Sequence, residues 1–568
     1  MSQAVSVDDL QIARSVPLEP IDTIAARMGL AADLVEPYGR HVGKIKLAAL
    51  KELADRPRAK YVLVSAITPT PLGEGKTATS IGLAQGFAQL GKRATVAIRQ
   101  PAMGPVFGIK GGAAGGGWAQ VVPMERVNLH LTGDTHAVTA AHNLLAAMVD
   151  NHLFHGNELG LDPHNITWPR VLDVNDRALR NIVVGLGGRL DGVPRQARFD
   201  ITAASEVMAI LALATSLHDL RERLGRIVIG YTYDGEPVTA EQLKAAGAMA
   251  VVLRDALEPN LLQTLEHTPA LIHAGPFGNI AHGSSSIIAD LIGIHSGDYL
   301  ITEAGFGADI GAEKFVDIKC RASGLRPDAA VLVATVRALK THSGKYRVVA
   351  GKPLPPELLE ERPEDVLAGA ANLRKHIEII RGFGITPVVA INAFPTDHPS
   401  EHEVIRDIAS VMGAHVAITT GVAHGGKGAV ELAEAVAAAA HEPSEFRFLY
   451  PDDLPLRDKI ETVASKVYGA AGVDYTAAAA KALEQFERLG YGRLPVCIAK
   501  THLSISHDPK LLGAPTDWRL PVQDVRAHVG AGFIYPICGA ISTMPGLGAS
   551  PSATRIDLDE DGEIEGLF

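Results

Sequence analysis

Residues 61–77 read YVLVSAITPTPLGEGKT, and this stretch decides the fold. Its apolar first half is typical of a buried strand, and the Pro- and Gly-rich turn that follows leads into a helix predicted over 77–90. A strand, a glycine loop, Lys76, Thr77 and a helix form the arrangement with which proteins bind a nucleoside triphosphate. Lys76 would contact the β- and γ-phosphates, and the Thr77 hydroxyl would help to hold Mg²⁺.

The loop at 68–77, here called the phosphate loop, departs from the usual G-x-x-x-x-G-K-[ST] pattern at its first position. Thr70 stands where the first glycine is expected, and Gly73 supplies backbone freedom instead. A turn that only caps a helix is the alternative interpretation, but the buried strand before it favours nucleotide binding. The residues predicted to line the nucleotide are Thr70, Pro71, Leu72, Gly73, Glu74, Gly75, Lys76 and Thr77, with Thr77 also predicted as the metal ligand.

The composition is typical of a globular protein with more than one domain. The chain has 568 residues, so two to four domains are expected, and its net charge of −11 argues against a general nucleic-acid-binding surface. The first fifteen residues have no apolar core, unlike a secretory signal, and no apolar window is long enough for a bilayer; the cytoplasm is therefore predicted. The three cysteines are far apart, show no zinc spacing and suit a reducing compartment.

Short apolar runs alternate with helix-like stretches along the chain, which predicts an α/β fold with a mainly parallel sheet flanked by helices. Ligands bind at the carboxyl ends of the strands in such sheets. Helices are expected at 201–217, 372–383 and 402–412, and a pair of Ala-rich helices at 460–489. The candidate strands after the first are 95–98, 182–184, 227–229, 250–253, 270–273, 299–302, 331–335, 387–391, 416–419 and 496–499.

Proline and charged residues cluster at 351–364 and at 441–456, which indicates two domain boundaries. We therefore expect a large nucleotide-binding domain over 1–360 and two smaller α/β domains over 361–450 and 451–568.

A second glycine cluster lies in residues 99–120, RQPAMGPVFGIKGGAAGGGWAQ. Six glycines within 108–117 rule out a regular helix and favour a structured loop with exposed amides that suits anions. A plain surface loop is the alternative. Arg99 follows the predicted strand at 95–98, where its guanidinium would clamp a phosphate, although an ordinary salt bridge fits the spacing equally well.

Polar loops follow several other predicted strands. Residues 128–143 gather three histidines and Asp134 without a zinc pattern, which favours polar groups around a phosphate or cation; a helix N-cap is the alternative. The loops at 303–309 and 392–397 each carry an aromatic residue, Phe306 and Phe394, that is available to stack on a flat ring. Together with the loop at 273–286, these loops predict a large site for more than one ligand.

Several of these segments resemble the formate–tetrahydrofolate ligase (formyltetrahydrofolate synthetase) family. They are TPTPLGEGKT at 68–77, GIKGGAAGGG at 108–117, VATVRALKTHSG at 333–344, and the shorter PVFGIKGG, LTGD, AHNLLAA and NAFPTD. The resemblance runs from about Tyr38 to the C-terminal GLGASP region. The chain departs from the family at four positions: Gln100 where many members have Glu, Trp118 where Tyr is usual, Ser343 where Gly is usual, and Val422 where some members have a Trp that stacks on the pterin.

The resemblance implies a P-loop NTPase-like fold and ATP-dependent ligation of formate to tetrahydrofolate through formyl phosphate. It further implies Mg²⁺, activation by potassium or ammonium, a homotetramer, and a folate site to which the 361–450 domain contributes; no nucleic-acid or membrane partner is expected. The implied contacts are Lys76 with the transferring phosphate, Arg99 with formyl phosphate, Phe306 with adenine, Phe394 and Pro395 with the pterin, and Asp134 with the cation or the formate pocket.

Three rival interpretations remain at this stage. One is a ligase of the same type that acts on another carboxylate. Another is a nucleotide-switched partitioning or scaffold protein, whose phosphate loop usually carries an extra early Lys that residues 62–75 lack. The third is a homologue that binds folate without turnover, which Gln100 and Val422 keep open.

Overall fold

The computed structural model describes residues 8–108, 114–349 and 353–567. A sheet of twelve strands runs through these residues, with helices on both faces. Its strands are β1 (Val35–Pro37), β2 (Gly43–Ile45), β3 (Lys60–Ala66), β4 (Ala94–Ile98), β5 (Gly115–Gly116), β6 (Ala119–Val122), β7 (Asn260–Thr264), β8 (Pro269–Ile272), β9 (Tyr299–Glu303), β10 (Ala329–Ala334), β11 (Thr386–Asn392) and β12 (His415–Thr419).

The strand order is β1-β2-β7-β8-β4-β9-β3-β10-β11-β12, and β6 and β5 extend from β7. All neighbours from β8 to β12 are parallel, whereas β1, β2 and β7 pair antiparallel. The parallel strands therefore end at one edge of the sheet, here called the carboxyl edge. The phosphate loop leaves this edge from β3, with β9 on one side and β10 on the other, which is where such sheets bind ligands.

The parallel strands are apolar on both faces because helices cover both. In β3, Tyr61 and Leu63 enter one hydrophobic cluster, while Val62 and Val64 enter the other. Successive side chains of a strand point to opposite faces, so a continuous apolar run supplies two cores at once.

The helices that carry the argument are α1 (Lys76–Gln89), α2 (Asp134–Phe154), α3 (Val336–His342), α4 (Ala370–Gly382), α5 (Pro399–Val411) and α6 (Val430–Ala440). The helix α1 packs on β4 and on α6, beneath the phosphate loop. The remaining α-helices are Asp9–Ser15, Ile21–Arg27, Ala48–Leu53, Met103–Phe107, Met124–Asn128, Glu206–Leu213, Leu217–Arg226, Ala246–Leu253, Ile287–Gly293, Gly311–Lys314, Arg321–Ser323, Pro363–Ala368, Gly421–His424, Leu456–Thr462 and Ala477–Arg488.

Small sheets lie beside the main one. Their paired strands are Ile182–Val184 with Arg195–Ala197, Arg170–Leu172 with Phe199–Ile201, Val228–Thr232 with Leu161–Ile166 and Pro237–Thr239, Gly472–Tyr475 with Arg519–Val522, Asp524–His528 with Phe533–Ile537, and Asp557–Leu558 with Ile564–Glu565. The predicted α/β class with a mainly parallel central sheet is thus confirmed.

Three details of the prediction were wrong. Residues 250–253 belong to the helix Ala246–Leu253 and not to a strand. The prediction failed because a short apolar run does not distinguish a helix from a strand. Residues 496–499 make only isolated bridges. The pair of helices predicted over 460–489 is present as Leu456–Thr462 and Ala477–Arg488, with the strand Gly472–Tyr475 between them. The pattern also missed the antiparallel strands β6 and β7.

The predicted domain boundary near residue 360 falls between β10 and β11, which are neighbours in the main sheet. The division into three domains therefore stays a prediction. No helix within residues 8–108, 114–349 and 353–567 is long and apolar enough to cross a membrane.

Candidate active site

The phosphate loop is held at its start by α4 and at its end by β11. The backbone N–H of Thr68 donates to Asn372 Oδ1 at 3.1 Å. Gly75 has φ +75° directly before α1, and a Cβ there would lie 2.5 Å from Asn392 Nδ2. Both the left-handed conformation and this close approach require glycine, so the loop turns into the helix at Lys76 with no side chain in the way.

Glu74 braces the loop from inside. Its buried carboxylate accepts hydrogen bonds from the Thr70 N–H at 2.9 Å and the Thr70 hydroxyl at 3.0 Å. Its other oxygen accepts from the Thr335 hydroxyl at 2.7 Å, directly before α3. The exposed residues of the loop are Pro71, Leu72, Gly73 and Gly75, while the Glu74 side chain faces the protein.

Glu303 joins the phosphate loop to Arg99. This residue ends β9 at the carboxyl edge, and its carboxylate is buried. The Thr77 hydroxyl donates to Glu303 Oε2 at 2.8 Å, and Arg99 Nε lies 3.9 Å from Glu303 Oε1. The loop and the arginine that the sequence singled out therefore meet at one carboxylate, beside Lys76.

Two further loops surround the Arg99 guanidinium. Its Nη1 donates to the carbonyl of Pro276 at 3.2 Å, in the loop after β8. A Cβ on Gly305 would lie 3.3 Å from Nη2, so a glycine lets the guanidinium lie against the loop after β9. The side chain is about one quarter exposed, at 26% of its surface, which leaves part of its donor edge accessible to a ligand.

The loop that carries Phe306 is clamped by the C-terminal part of the chain. Phe306 has φ +63° and stacks on His502, with 4.4 Å between the ring centroids. Asp309, in the same loop, forms a buried ion pair with Lys500 at 2.7 Å. An aromatic face thus lies near the phosphate loop, in a position set by residues about two hundred positions away in the chain.

Phe394 lies beyond β11 on the other side of the phosphate loop. The guanidinium carbon of Arg337 is 3.4 Å from the centre of its ring. Asp397 accepts from the Phe394 N–H at 2.9 Å, and Asn392 Nδ2 donates to the Glu74 carbonyl at 3.1 Å. Phe394 is half-buried and Pro395 is exposed, so this loop offers an apolar surface directly beside the nucleotide loop.

Asp134 starts α2 and is saturated by protein partners. Its carboxylate pairs with Lys44 at 2.8 Å and accepts from Asn260 Nδ2 at 2.7 Å, and both acid and base are buried. The Lys44 ammonium thus takes the position that a monovalent cation would need at this carboxylate. The predicted role of Asp134 in a cation or formate pocket stays a prediction.

Two of the departures from the family pattern lie in contact. The Trp118 N–H donates to the Val422 carbonyl at 2.8 Å, and both side chains are exposed, at 42% and 38%. A Cβ on Gly117 would lie 2.1 Å from the same carbonyl, so the glycine permits the contact. Gln100 is buried, with its N–H bonded to the Ala274 carbonyl. Residues 109–113 of the glycine cluster lie outside the described residues.

The histidines near Asp134 do not form a metal site. Over the described ranges, no group of three or more His, Cys, Asp or Glu side chains is placed to hold a metal ion. His130 and His136 hydrogen-bond to each other at 2.8 Å. His142 stacks on Trp168, and burial lowers the pKa of its ring to about 3, so it is neutral at physiological pH.

A family model for formate–tetrahydrofolate ligase matches residues 7–568. The chain belongs to the formate–tetrahydrofolate ligase family. Proteins named formate–tetrahydrofolate ligase from Saccharopolyspora erythraea and Cutibacterium acnes are 68% and 64% identical, over 98% and 99% of this chain and 99% and 100% of theirs. A formate–tetrahydrofolate ligase 1 from Rubrobacter xylanophilus is 66% identical over the full length of both chains.

The sequence did not single out every residue at this candidate site. Glu303 is the first residue of the predicted ligand loop at 303–309, and its position directly after the predicted strand 299–302 was the available signal; the structure makes it the last residue of β9. Lys500 and His502 gave no signal, because only the folded chain brings the C-terminal segment against residues 303–309.

Proposed function

We propose that the protein is an ATP-dependent ligase that joins formate to tetrahydrofolate, giving 10-formyltetrahydrofolate, ADP and phosphate. Family membership over nearly the whole chain supports this proposal. The structural observation that carries it is the Glu303 carboxylate, which lies between Thr77 of the phosphate loop and the Arg99 guanidinium.

The first step activates formate. A formate oxygen attacks the γ-phosphorus of ATP, the bond to the β-phosphate oxygen breaks, and ADP leaves, so that formyl phosphate forms. The protein's contribution to such a transfer is alignment and neutralisation of charge. Lys76 contacts the transferring phosphoryl group, and Arg99 holds the acyl phosphate with its exposed donors. Phe306 packs on the adenine ring.

The second step transfers the formyl group. The N10 amine of tetrahydrofolate attacks the formyl carbon, phosphate leaves with the C–O bond electrons, and the amine loses a proton. Phosphate is a far better leaving group than the oxide of free formate, which is why activation comes first. Phe394 and Pro395 face the pterin, from the side of the phosphate loop opposite to Arg99.

The residues present fit Mg²⁺. The Thr77 hydroxyl and the Glu303 carboxylate lie side by side, and Mg²⁺ prefers one or two such oxygen ligands together with water and substrate phosphates. Thr77 and Glu303 would hold the ion, which would neutralise charge on the β- and γ-phosphates. Activation by potassium or ammonium is kept as a prediction. The Asp134 carboxylate already pairs with the Lys44 ammonium, so an activating cation would have to displace Lys44 or bind elsewhere.

Other parts of the proposal concern the whole chain. The strand–loop–helix of β3 and α1, with a carboxylate at the end of the neighbouring strand, supports a P-loop NTPase-like fold. We also propose three domains, a homotetramer and a cytoplasmic location. The domains cover 1–360, 361–450 and 451–568. Light scattering of the purified protein tests the tetramer, for which the expected mass is four times the 59.9 kDa of one chain.

The decisive experiment is an assay for 10-formyltetrahydrofolate with ATP, Mg²⁺, tetrahydrofolate and formate. Product should form only when all are present, and acetate in place of formate should give none. Release of ADP that depends on acetate and not on formate, with an acetylated folate as product, would favour a ligase for another carboxylate. Binding of tetrahydrofolate by folded protein without turnover would mark a non-catalytic homologue.

Lys76→Ala tests the role of the phosphate loop. Turnover should fall by about a thousandfold or more, because a charge that neutralises the transferring phosphoryl group is lost. Lys92→Ala, an exposed lysine between α1 and β4, serves as the matched control and should keep wild-type turnover. Near-normal turnover in Lys76→Ala, with unfolding unchanged in both variants, would refute the assignment.

A further inference from the structure

Arg337 occupies the gap between the phosphate loop and the loop after β11. It is the second residue of α3, directly after the N-cap Thr335 and Val336. The Thr335 hydroxyl donates to Glu74 in the phosphate loop, which fixes the start of α3 against that loop. The Arg337 side chain extends from there to Phe394.

The Arg337 guanidinium lies flat against the Phe394 ring. At 3.4 Å from the ring centre, its carbon atom can only lie over the ring face, because an edge approach would overlap the ring atoms. A guanidinium is planar and stacks on an aromatic face, where it is attracted by the negative ring surface. One face of Phe394 is therefore fixed by the arginine.

The same guanidinium has unused donors. It makes no hydrogen bond or ion pair with any residue in the described parts of the chain, and its Nε is buried without a partner. Burial lowers the pKa of this group, while Asp397 and Glu74 oppose that shift from a distance. A half-buried cation that has lost water without gaining acceptors is unfavourable, and a ligand oxygen would satisfy it.

We propose that Arg337 is a tetrahydrofolate-binding residue that donates to an acceptor oxygen of the bound folate while it holds the Phe394 ring in place. The inference rests on the proposed function and deepens it. Folate is the occupant because Arg337 lies on the β10–β11 side of the phosphate loop with Phe394. The phosphate-binding groups Thr77, Glu303 and Arg99 lie on the other side, towards β9 and β4.

The test measures dissociation constants for tetrahydrofolate and for ATP by calorimetry, with Arg337→Gln, Arg337→Lys and a matched control. Arg337→Gln should weaken tetrahydrofolate binding about 10- to 100-fold, as expected for lost hydrogen bonds to a charged group, and leave ATP binding within about twofold. Arg337→Lys should fall between wild type and Arg337→Gln, because it keeps the charge but not the planar stack.

The control is Arg406→Gln on α5, whose guanidinium pairs with Glu431 at 3.1 Å near the surface. It should bind both ligands like wild type. Unchanged tetrahydrofolate binding in Arg337→Gln, or an equal loss of ATP binding, would overturn the proposal. Wild-type protein that fails to bind tetrahydrofolate at all would instead refute the proposed function.

Two further arms identify the contact. Tetrahydropteroate, which lacks the glutamate, identifies the oxygen that Arg337 contacts. If Arg337→Gln weakens tetrahydropteroate binding as much as tetrahydrofolate binding, the oxygen belongs to the pterin or benzoyl part. If Arg337→Gln does not weaken tetrahydropteroate binding, the oxygen belongs to the glutamate carboxylate. The Phe394→Leu background separates binding from support. If Arg337→Gln still weakens tetrahydrofolate binding in the Phe394→Leu background, direct contact with the folate is supported. If it no longer weakens binding there, the proposed contact is overturned.

Discussion

At the scale of single residues, the site depends on a carboxylate that serves two partners. Glu303 accepts a hydrogen bond from the Thr77 hydroxyl and lies near Arg99, so one carboxylate orients both side chains. The sequence identified Lys76 and Thr77 from the phosphate-loop pattern at the start of α1, and Arg99 from its position directly after β4. It gave no role to Glu303, because a shared carboxylate is a property of three distant segments.

Glu303→Gln should keep the shape of the site and remove its charge. We expect the Mg²⁺ concentration for half-maximal turnover to rise about 10- to 100-fold, as for the loss of an oxygen ligand or its support. A magnesium titration of the initial rate measures this. Asp298→Asn, directly before β9 at the opposite end of the strand, is the control and should leave the titration unchanged. Identical curves for Glu303→Gln and wild type would contradict the assignment.

At the scale of elements, the strands and helices that build the carboxyl edge follow from the sequence. Strong apolar runs predicted β3, β4, β9, β10, β11 and β12. The first five have both faces buried, whereas β12, at the end of the strand order, is only partly buried. Residues 250–253 were an exception to the same rule, since their apolar run belongs to the helix Ala246–Leu253 and leaves Val251 and Val252 exposed. The contacts between elements, such as Asn392 against Gly75, depend on strand order, which local pattern does not encode.

Two glycines of the phosphate loop provide a matched pair. Both have φ +75°, so alanine costs roughly 1–2 kcal/mol at either site. Only Gly75→Ala would also push Asn392 Nδ2 away from the Glu74 carbonyl, whereas nothing lies within 4 Å of a Cβ at Gly73. Gly75→Ala should therefore weaken ATP binding more than Gly73→Ala. Equal dissociation constants in the two variants would show that the Asn392 contact has no effect on the loop.

Glu206 makes one contact between elements dependent on pH. It starts the helix Glu206–Leu213, and its Oε1 accepts from the Gly530 N–H at 2.7 Å. Burial raises its pKa to about 8, from 4.5 when exposed. Between these values the unfolded chain loses the proton and the folded chain keeps it, so stability falls as the pH rises from about 4.5 to about 8.

Glu206→Gln keeps the acceptor and removes the titration. Between pH 5 and pH 8 the wild type should lose on the order of 3 kcal/mol more stability than this variant. Urea unfolding at the two pH values gives the comparison, with the exposed Glu484→Gln as the control. Parallel losses in Glu206→Gln and wild type would mean that the carboxyl group is not protonated in the folded state.

At the scale of the whole molecule, the site is assembled from segments that span most of the chain. The phosphate loop, the loops after β9 and β11, and the segment around Lys500 all meet at the carboxyl edge or against it. The fold class was predictable because it depends on local periodicity. The clamp by Lys500 and His502 was not, because it depends on how the C-terminal part docks.

Lys500→Met should lower the folding stability and weaken ATP binding at the site. It leaves Asp309 charged and buried without its partner, which costs about 3–5 kcal/mol. Because Asp309 and Phe306 share a loop, the KM for ATP should also rise. The double variant Lys500→Met, Asp309→Asn should recover part of the stability, since no lone charge remains. A double variant as unstable as the single one would argue against the ion pair as the cause.

The shared carboxylate at Glu303 also has a consequence for inheritance. An amino-acid exchange at Thr77, Arg99 or Glu303 alters the environment of the other two, so natural selection screens the trio as a single unit. In a relative that has lost one of the three residues, selection on the other two is weaker. Related chains should therefore have all three residues or none of them.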